Sequence, residues 1–206
     1  MPTQFVTRME ADWEVELGGD APVIEAYWPG LVDLRMHPEQ ARMLPEAQQL
    51  GGLAETLVRL NAKTSPVWTS KCDVWEVDEF DPDELDAPLD SATHAIACYI
   101  DILPKSYEQK ESHASMVAAC KGLCVRLHAV AMRCCRADLI IRRAIMTKMG
   151  RAVMIDGGED LVVTAYVTAC GSSIGEARAV LRSALDAFAD AVSSVGQPAD
   201  AASKLQ

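Results

Sequence analysis

The chain has 206 residues, half of them apolar, which is enough to bury a sizeable core and too much for a disordered chain. Its formal net charge of −11 repels phosphate backbones and argues against general binding to nucleic acid. Seven cysteines, an odd number, follow no leader-like start at Met-Pro-Thr-Gln-Phe, so they read as reduced thiols of a cytoplasmic protein rather than as a disulfide framework.

Taken in chain order, residues 10–17 alternate Ala11, Trp13, Val15 and Leu17 with acidic neighbours, the period-two pattern of a strand with one wet face. Residues 23–27 predict a second short strand. Pro38-Glu39 opens a helical stretch interrupted near Pro45 and Gly51-Gly52, and its second part places Leu53, Leu57 and Leu60 on one side. Ser65-Pro66 leads into a strand over 67–77. Residues 78–92 are rich in Asp and Pro and form a solvated connector or short helical turn, the best internal sub-boundary.

Beyond the connector, 93–103 is apolar on both faces except for Asp101, as a central strand would be. Helix follows over 112–132, then strands over 135–146 and 161–169. Ser173-x-x-Glu176 matches a capping box at the start of a last helix, whose stripe is Ile174, Ala177, Leu181, Leu185 and Phe188 and which Gly196-Gln197-Pro198 stops. The windows 116–131 and 161–170, the most apolar in the chain, are broken by Lys121 and Arg126 or too short for a bilayer, so no membrane span is read.

This order predicts a single α+β domain over 1–195 with a flexible tail at 196–206. The architecture is a two-layer sandwich, its mixed or antiparallel sheet carrying helices on one face. Residues 93–194, β-α-β-β-α, follow a ferredoxin-like pattern short of one strand that 67–77 could supply. The pattern carries no activity, because such a fold hosts many.

Charge is sorted along the chain. Residues 72–104 hold ten acidic side chains and no Lys or Arg, whereas 112–151 hold eight basic side chains and one acid, Asp138. Two opposite blocks of this length suggest surfaces that face each other or face partners.

Cys170-Gly171-Ser172-Ser173-Ile174-Gly175 joins a strand to a helix N-terminus, where free N–H groups, the helix dipole and two hydroxyls suit an anion. Gly171, Ser172 and Ser173, with Arg142 and Arg143 from the basic block, are the candidate ligand-binding residues for an anionic small molecule. Cys170 is the candidate nucleophile, on the expectation that the helix terminus lowers its thiol pKa. The plain alternative is an ordinary strand–Gly–cap turn.

His113, Cys120, Cys124 and His128 fall within about 80° of one another on a helix, and Cys124 with His128 is the most plausible metal-ligand pair. The same side also carries Met116, Leu123, Leu127 and Val130, so the competing reading is a core face. Small residues at Ser115, Ala118, Gly122 and Ala129 mark the other side, where a second element or a dimer partner could approach. No cofactor is indicated.

Four further features concern surfaces and the core. Asp81, Asp83, Glu84 and Asp86 lack the EF-hand spacing and read as a solvated acidic loop. All four tryptophans, Trp13, Trp28, Trp68 and Trp75, precede residue 76 and are core or interface. Trp68 and Trp75, seven apart, point to opposite faces of an unbroken strand. Within the strand over 135–146, Arg142 and Arg143 point to opposite faces; a buried arginine needs a carboxylate, for which Asp101 is the candidate.

No motif names a reaction. The chain is therefore expected to act through interaction surfaces, as a homo-oligomer or an accessory subunit of an assembly. The second expectation is a small enzyme or ligand-binding domain holding an anionic group at 170–175.

Overall fold

A computed structural model describes the backbone of residues 6–11, 23–25, 32–88, 92–105, 112–150, 153–155 and 159–194, and the side chains of 32–88, 92–105, 112–143 and 161–194. The described elements are strands β1 (Val6–Ala11) and β2 (Val23–Glu25), helices α1 (Pro45–Gln49) and α2 (Leu53–Asn61), strands β3 (Val67–Val77) and β4 (His94–Pro104), helix α3 (His113–His128), strands β5 (Cys135–Gly150), β6 (Val153–Ile155) and β7 (Glu159–Gly171), and helix α4 (Ile174–Ser193). Two 3-10 turns, Pro38–Met43 and Pro82–Leu85, complete the set.

The sheet runs β1-β5-β7-β4-β3, with β2 also paired to β5 and β6 hairpinned onto the end of β5. Four strands, β3-β4-β7-β5, are antiparallel, while β1 and β2 lie parallel to β5. The architecture is thus α+β, helices layered on a sheet. In chain order the antiparallel strands read first, second, fourth, third. The connector over 78–93 returns the chain so that β4 pairs antiparallel with β3; β3 thus joins the sheet from ahead of the β-α-β-β-α unit, and this order does not establish a ferredoxin-like domain.

Alternation along the strands assigns the faces. Ile96, Cys98 and Ile100 of β4, Ala137, Leu139 and Ile141 of β5, and Ala165, Val167 and Ala169 of β7 turn to the helices and join one core with α2, α3 and α4. Phe188 of α4 is wholly buried there with Leu181 and Leu185, and burying a side chain of this size contributes about 2–3 kcal/mol. The α4 stripe is thus the one read from the sequence, and its N-cap forms: Ser173 Oγ accepts the Glu176 N–H at 3.2 Å.

Differences from the sequence reading are mainly at boundaries. Strand β1 begins at Val6 and is described to Ala11, while Trp13, Val15 and Leu17 of the expected strand lie outside the described residues, as do Tyr27, Trp28 and the tail. Helix α3 stops at His128, not Met132: the Ala129 and Val130 N–H groups donate to the Arg126 and Leu127 carbonyls and close its last turn, and Cys134, in the left-handed region (φ 60°), leads into β5, which itself runs on to Gly150. Gly52, at φ 103°, sets the N-terminus of α2 in a conformation that favours glycine.

Edge strand β3 is blunted by side chains rather than by another strand. Asn61, at the end of α2 and 1% exposed, accepts the Thr69 N–H at 3.0 Å and donates to Thr69 Oγ1 at 2.7 Å and Leu57 O at 2.8 Å. Farther along, Asp73 Oδ1 takes the Val74 N–H at 2.7 Å.

Candidate functional site

The sheet face turned away from the helices carries a polar and aromatic group, Trp75, Tyr99, Asp101, Thr164, Tyr166 and Arg142. Register places Tyr99 directly opposite Tyr166 and Asp101 directly opposite Thr164 on β4 and β7. The Tyr99 and Tyr166 rings lie 5.9 Å apart, and Trp75 meets them at 6.2 and 6.4 Å, edge-on to Tyr166; tilted and edge arrangements of this kind suit the ring quadrupoles. Arg142 sits 5.8 Å over the Tyr166 ring and donates to its hydroxyl at 3.3 Å.

Asp101 is buried and accepts the Thr164 hydroxyl at 2.7 Å. Burial pushes its carboxyl above the ordinary range, opposed by the Thr164 hydrogen bond and by the positive charges of Arg142 and Lys71. Burial, with the Asp101 charge next, also raises Tyr99 to about 12. Asp101 and Arg142 therefore share one face and feel each other's charge, while Thr164 is the side chain that bonds the carboxylate. Arg143, one residue on, is exposed.

Trp68 and Trp75 lie on the same face, not on opposite ones. A register shift between Thr69 and Cys72 turns the strand by one residue: Trp68 pairs with Leu103 and Trp75 with Ala97, two positions of equal parity on β4. Trp68 is buried with Leu103 and Val162 and stacked by Arg35 at 4.8 Å, whereas Trp75 is 38% exposed.

At the strand–helix turn a carboxylate of the chain itself engages the donors of Ser172. The Glu176 carboxylate accepts the Ser172 N–H at 2.8 Å and the Ser172 hydroxyl at 2.5 Å. Those two bonds hold Glu176 below its usual range. Gly171 is there for close approach, since a Cβ would stand 2.9 Å from the Ala177 nitrogen and from Glu176 Cβ. Cys170 is fully buried, and burial pushes its thiol up to about 12, opposite to the lowering expected from the helix terminus.

Cys170 also stands far from Arg142 and Arg143. It pairs with Ala95, six residues from Asp101 along β4, which is about 20 Å at the rise of a strand. The turn at 170–175 and the Asp101–Arg142 group are thus two separate places on the sheet.

On α3 the buried side chains are Met116, Cys120, Leu123 and Leu127. The stripe of His113, Cys120, Cys124 and His128 straddles the border of that face: Cys120 is inside, Cys124 half-buried, and both histidines exposed. Among the described residues, no three His, Cys, Asp or Glu side chains gather where a metal ion could be held. The outward side of α3 carries exposed apolar side chains beside Ser115, Lys121 and His128. Ala118, Val125 and Ala129 are exposed, Val125 at 69%, with Gly122 half-buried among them. A Cβ on Gly122 would meet only the Arg126 guanidinium, at 3.7 Å, so close packing does not account for this glycine.

The acidic loop is more than solvated. Glu84 Oε2 accepts from Arg136 at 2.8 Å and Asp86 pairs with Arg133 at 3.5 Å, while Asp81 caps its own turn at the Asp83 N–H. Arg136, 8% exposed, also donates to Asp138 at 2.9 Å. The two charge blocks of the sequence therefore meet inside one chain. The Arg136–Asp138 pair had a sequence signal, since residues two apart in a strand share a face; Thr164, Tyr99 and Tyr166 had none, because only register brings them together.

No protein-family model, curated protein or solved structure matches this chain. Among the described residues, no helix is long and apolar enough to cross a membrane.

Proposed function

We propose that this chain is a cytoplasmic, non-catalytic α+β protein that acts through an interaction surface, as a homo-oligomer or as an accessory subunit of an assembly. The observation that carries this reading is the outer side of α3. A surface helix ordinarily turns a polar face to water, yet Ala114, Ala118, Val125 and Ala129 are exposed there with no acidic side chain in the helix. An apolar groove of about 330 Å³ lies alongside, walled by Met116, Ala119, Pro104, Val163 and Val192. Together they offer exposed apolar surface, with Ser115, Lys121 and Arg126 among it, of the kind a partner covers.

The charge blocks contribute less to association than their length suggests, because Glu84 and Asp86 are already engaged by Arg136 and Arg133. Binding an anionic small molecule at 170–175 is the weaker reading, since Glu176 already engages the donors of Ser172.

Light scattering after size exclusion, over a range of concentration and salt, tests the proposal. The expected result is a mass above that of one chain, reduced to a single chain by Val125→Glu with an unchanged circular-dichroism spectrum, because Val125 supports no core. A wild-type monomer under every condition, with no co-purifying subunit that Val125→Glu releases, overturns it.

A further inference from the structure

Cys134 and Cys170 stand directly opposite each other. Cys135 pairs in register with Ala169, and one step outward the Cys170 N–H donates to the Cys134 carbonyl at 2.8 Å. Opposed residues of antiparallel strands have Cα atoms about 4.5–5.5 Å apart, inside the 4.4–6.8 Å span of a disulfide. Both side chains enter one small cluster with Leu85, Ala87 and Ala95, in which Cys170 is fully buried and Cys134 partly so. Cys134 also holds a positive φ of 60°, uncommon for a residue with a Cβ, and strained backbone of this kind gathers at functional positions.

We propose that Cys134 and Cys170 are a thiol modification site, closing to a reversible cross-strand disulfide on oxidation by a hydroperoxide. In the first step the Cys134 sulfur attacks one oxygen of hydrogen peroxide, the O–O bond breaks, and Cys134 sulfenic acid and water form. In the second, the Cys170 sulfur displaces the sulfenic oxygen, which leaves as water with the Cys170 proton. Two thiols are oxidised, one peroxide is reduced to two waters, and an S–S bond joins the start of β5 to the end of β7.

The division of roles follows from access. Cys134 is the thiol an oxidant reaches, whereas Cys170 is fully buried and meets the oxidised sulfur only across the strand pair, as a resolving partner does. Cys135 alternates to the helix side and is buried in the main core, so it is no competitor across the strands. Cys120 and Cys124, one helical turn apart on α3, are the alternative pair.

The test treats the native full-length protein with increasing hydrogen peroxide, blocks residual thiols, digests with trypsin and maps cross-linked peptides by mass spectrometry. Cys134 and Cys135 share a tryptic peptide, so Cys134→Ser, Cys134→Gly and Cys135→Ala are run beside the wild type. Cys134→Gly suits the left-handed backbone and guards against a Cys134→Ser variant that folds poorly. The expected result is a link to the Cys170 peptide in wild type and Cys135→Ala, reversed by dithiothreitol and reduced at least tenfold in both Cys134 variants. A link that persists without Cys134, a Cys120–Cys124 link in its place, or oxidation of Cys134 to sulfinic acid with Cys170 still free, overturns the proposal.

Discussion

Arg136 in the strand and Glu84 in the loop, 52 positions apart, close a hydrogen bond of 2.8 Å that joins the basic half of the chain to the acidic half. The arginine side chain is 10% exposed and also serves Asp138 at 17%, whereas Glu84 is 64% exposed. The two ends of this bond therefore carry unequal weight. Removing the buried cation takes away its bonds to both Asp138 and Glu84 and the packing of its stem, so Arg136→Ala is expected to cost roughly 3 kcal/mol. Glu84→Ala removes an exposed partner and is expected to cost no more than about 1 kcal/mol. Urea denaturation of the two variants checks the ranking, and equal losses would show that the bridge works from both sides.

Asp101 gives a pH dependence. Its carboxyl is raised above 3.8, chiefly by burial, so the folded state holds the proton more tightly than the unfolded chain. The sign follows: from about pH 3.8 up to the raised folded value the folded state binds more protons, and stability falls as pH rises through that window. Asp101→Asn removes this term and retains an acceptor for Thr164. The variant's stability relative to wild type is thus expected to improve with rising pH across the window, ending within about 1 kcal/mol of wild type or above it. Denaturant midpoints from pH 4 to pH 8 measure this; a relative stability that worsens with rising pH would mean that the Arg142 attraction outweighs burial.

Two glycines are expected to respond in opposite directions to alanine. At Gly171 the added methyl meets the Ala177 nitrogen at 2.9 Å, a backbone atom that cannot swing away, and overpacking of this kind costs about 1–3 kcal/mol. At Gly122, inside α3, the methyl meets only a flexible guanidinium, so Gly122→Ala is expected to stabilise by about 0.5–1 kcal/mol. Thermal melts suffice for both. A destabilised Gly122→Ala with unchanged oligomeric state would point to a packing constraint on that side of the helix.

The tryptophans of β3 differ in burial although they share a face. Trp68, 7% exposed and covered by Arg35, is expected to cost about 3–5 kcal/mol on truncation to alanine. Trp75, 38% exposed, loses chiefly its ring contacts with Tyr99 and Tyr166, about 1 kcal/mol. Chemical denaturation compares them, and a loss at Trp75 as large as that at Trp68 would mark it as core.

Much of the fold was legible because its signals are local. Ser65-Pro66 before it and the Asp/Pro-rich connector after it located β3 at its observed bounds, and the Ser173–Glu176 spacing marked the start of α4, since turn signals and capping act within a few residues. The candidate site was legible only in part. Asp101 and Arg142 stood out as charges in apolar strands, but Thr164, the hydroxyl that bonds Asp101, looked like an ordinary strand residue.

By itself, the sequence determined the order of strands and helices apart from β6, the apolar stripe of the last helix and its cap, and the separation of charge into two blocks, all properties of residues close in the chain. Tertiary structure decided what those residues meet. A single bulge put Trp68 and Trp75 on one face, the capping Glu176 engaged the Ser172 donors of the turn that suited an anion, and the loop brought Glu84 to Arg136. The physical reason is register: side chains alternate every residue along a strand, so one inserted residue or one choice of neighbouring strand changes every partner across the sheet while the local pattern stays the same.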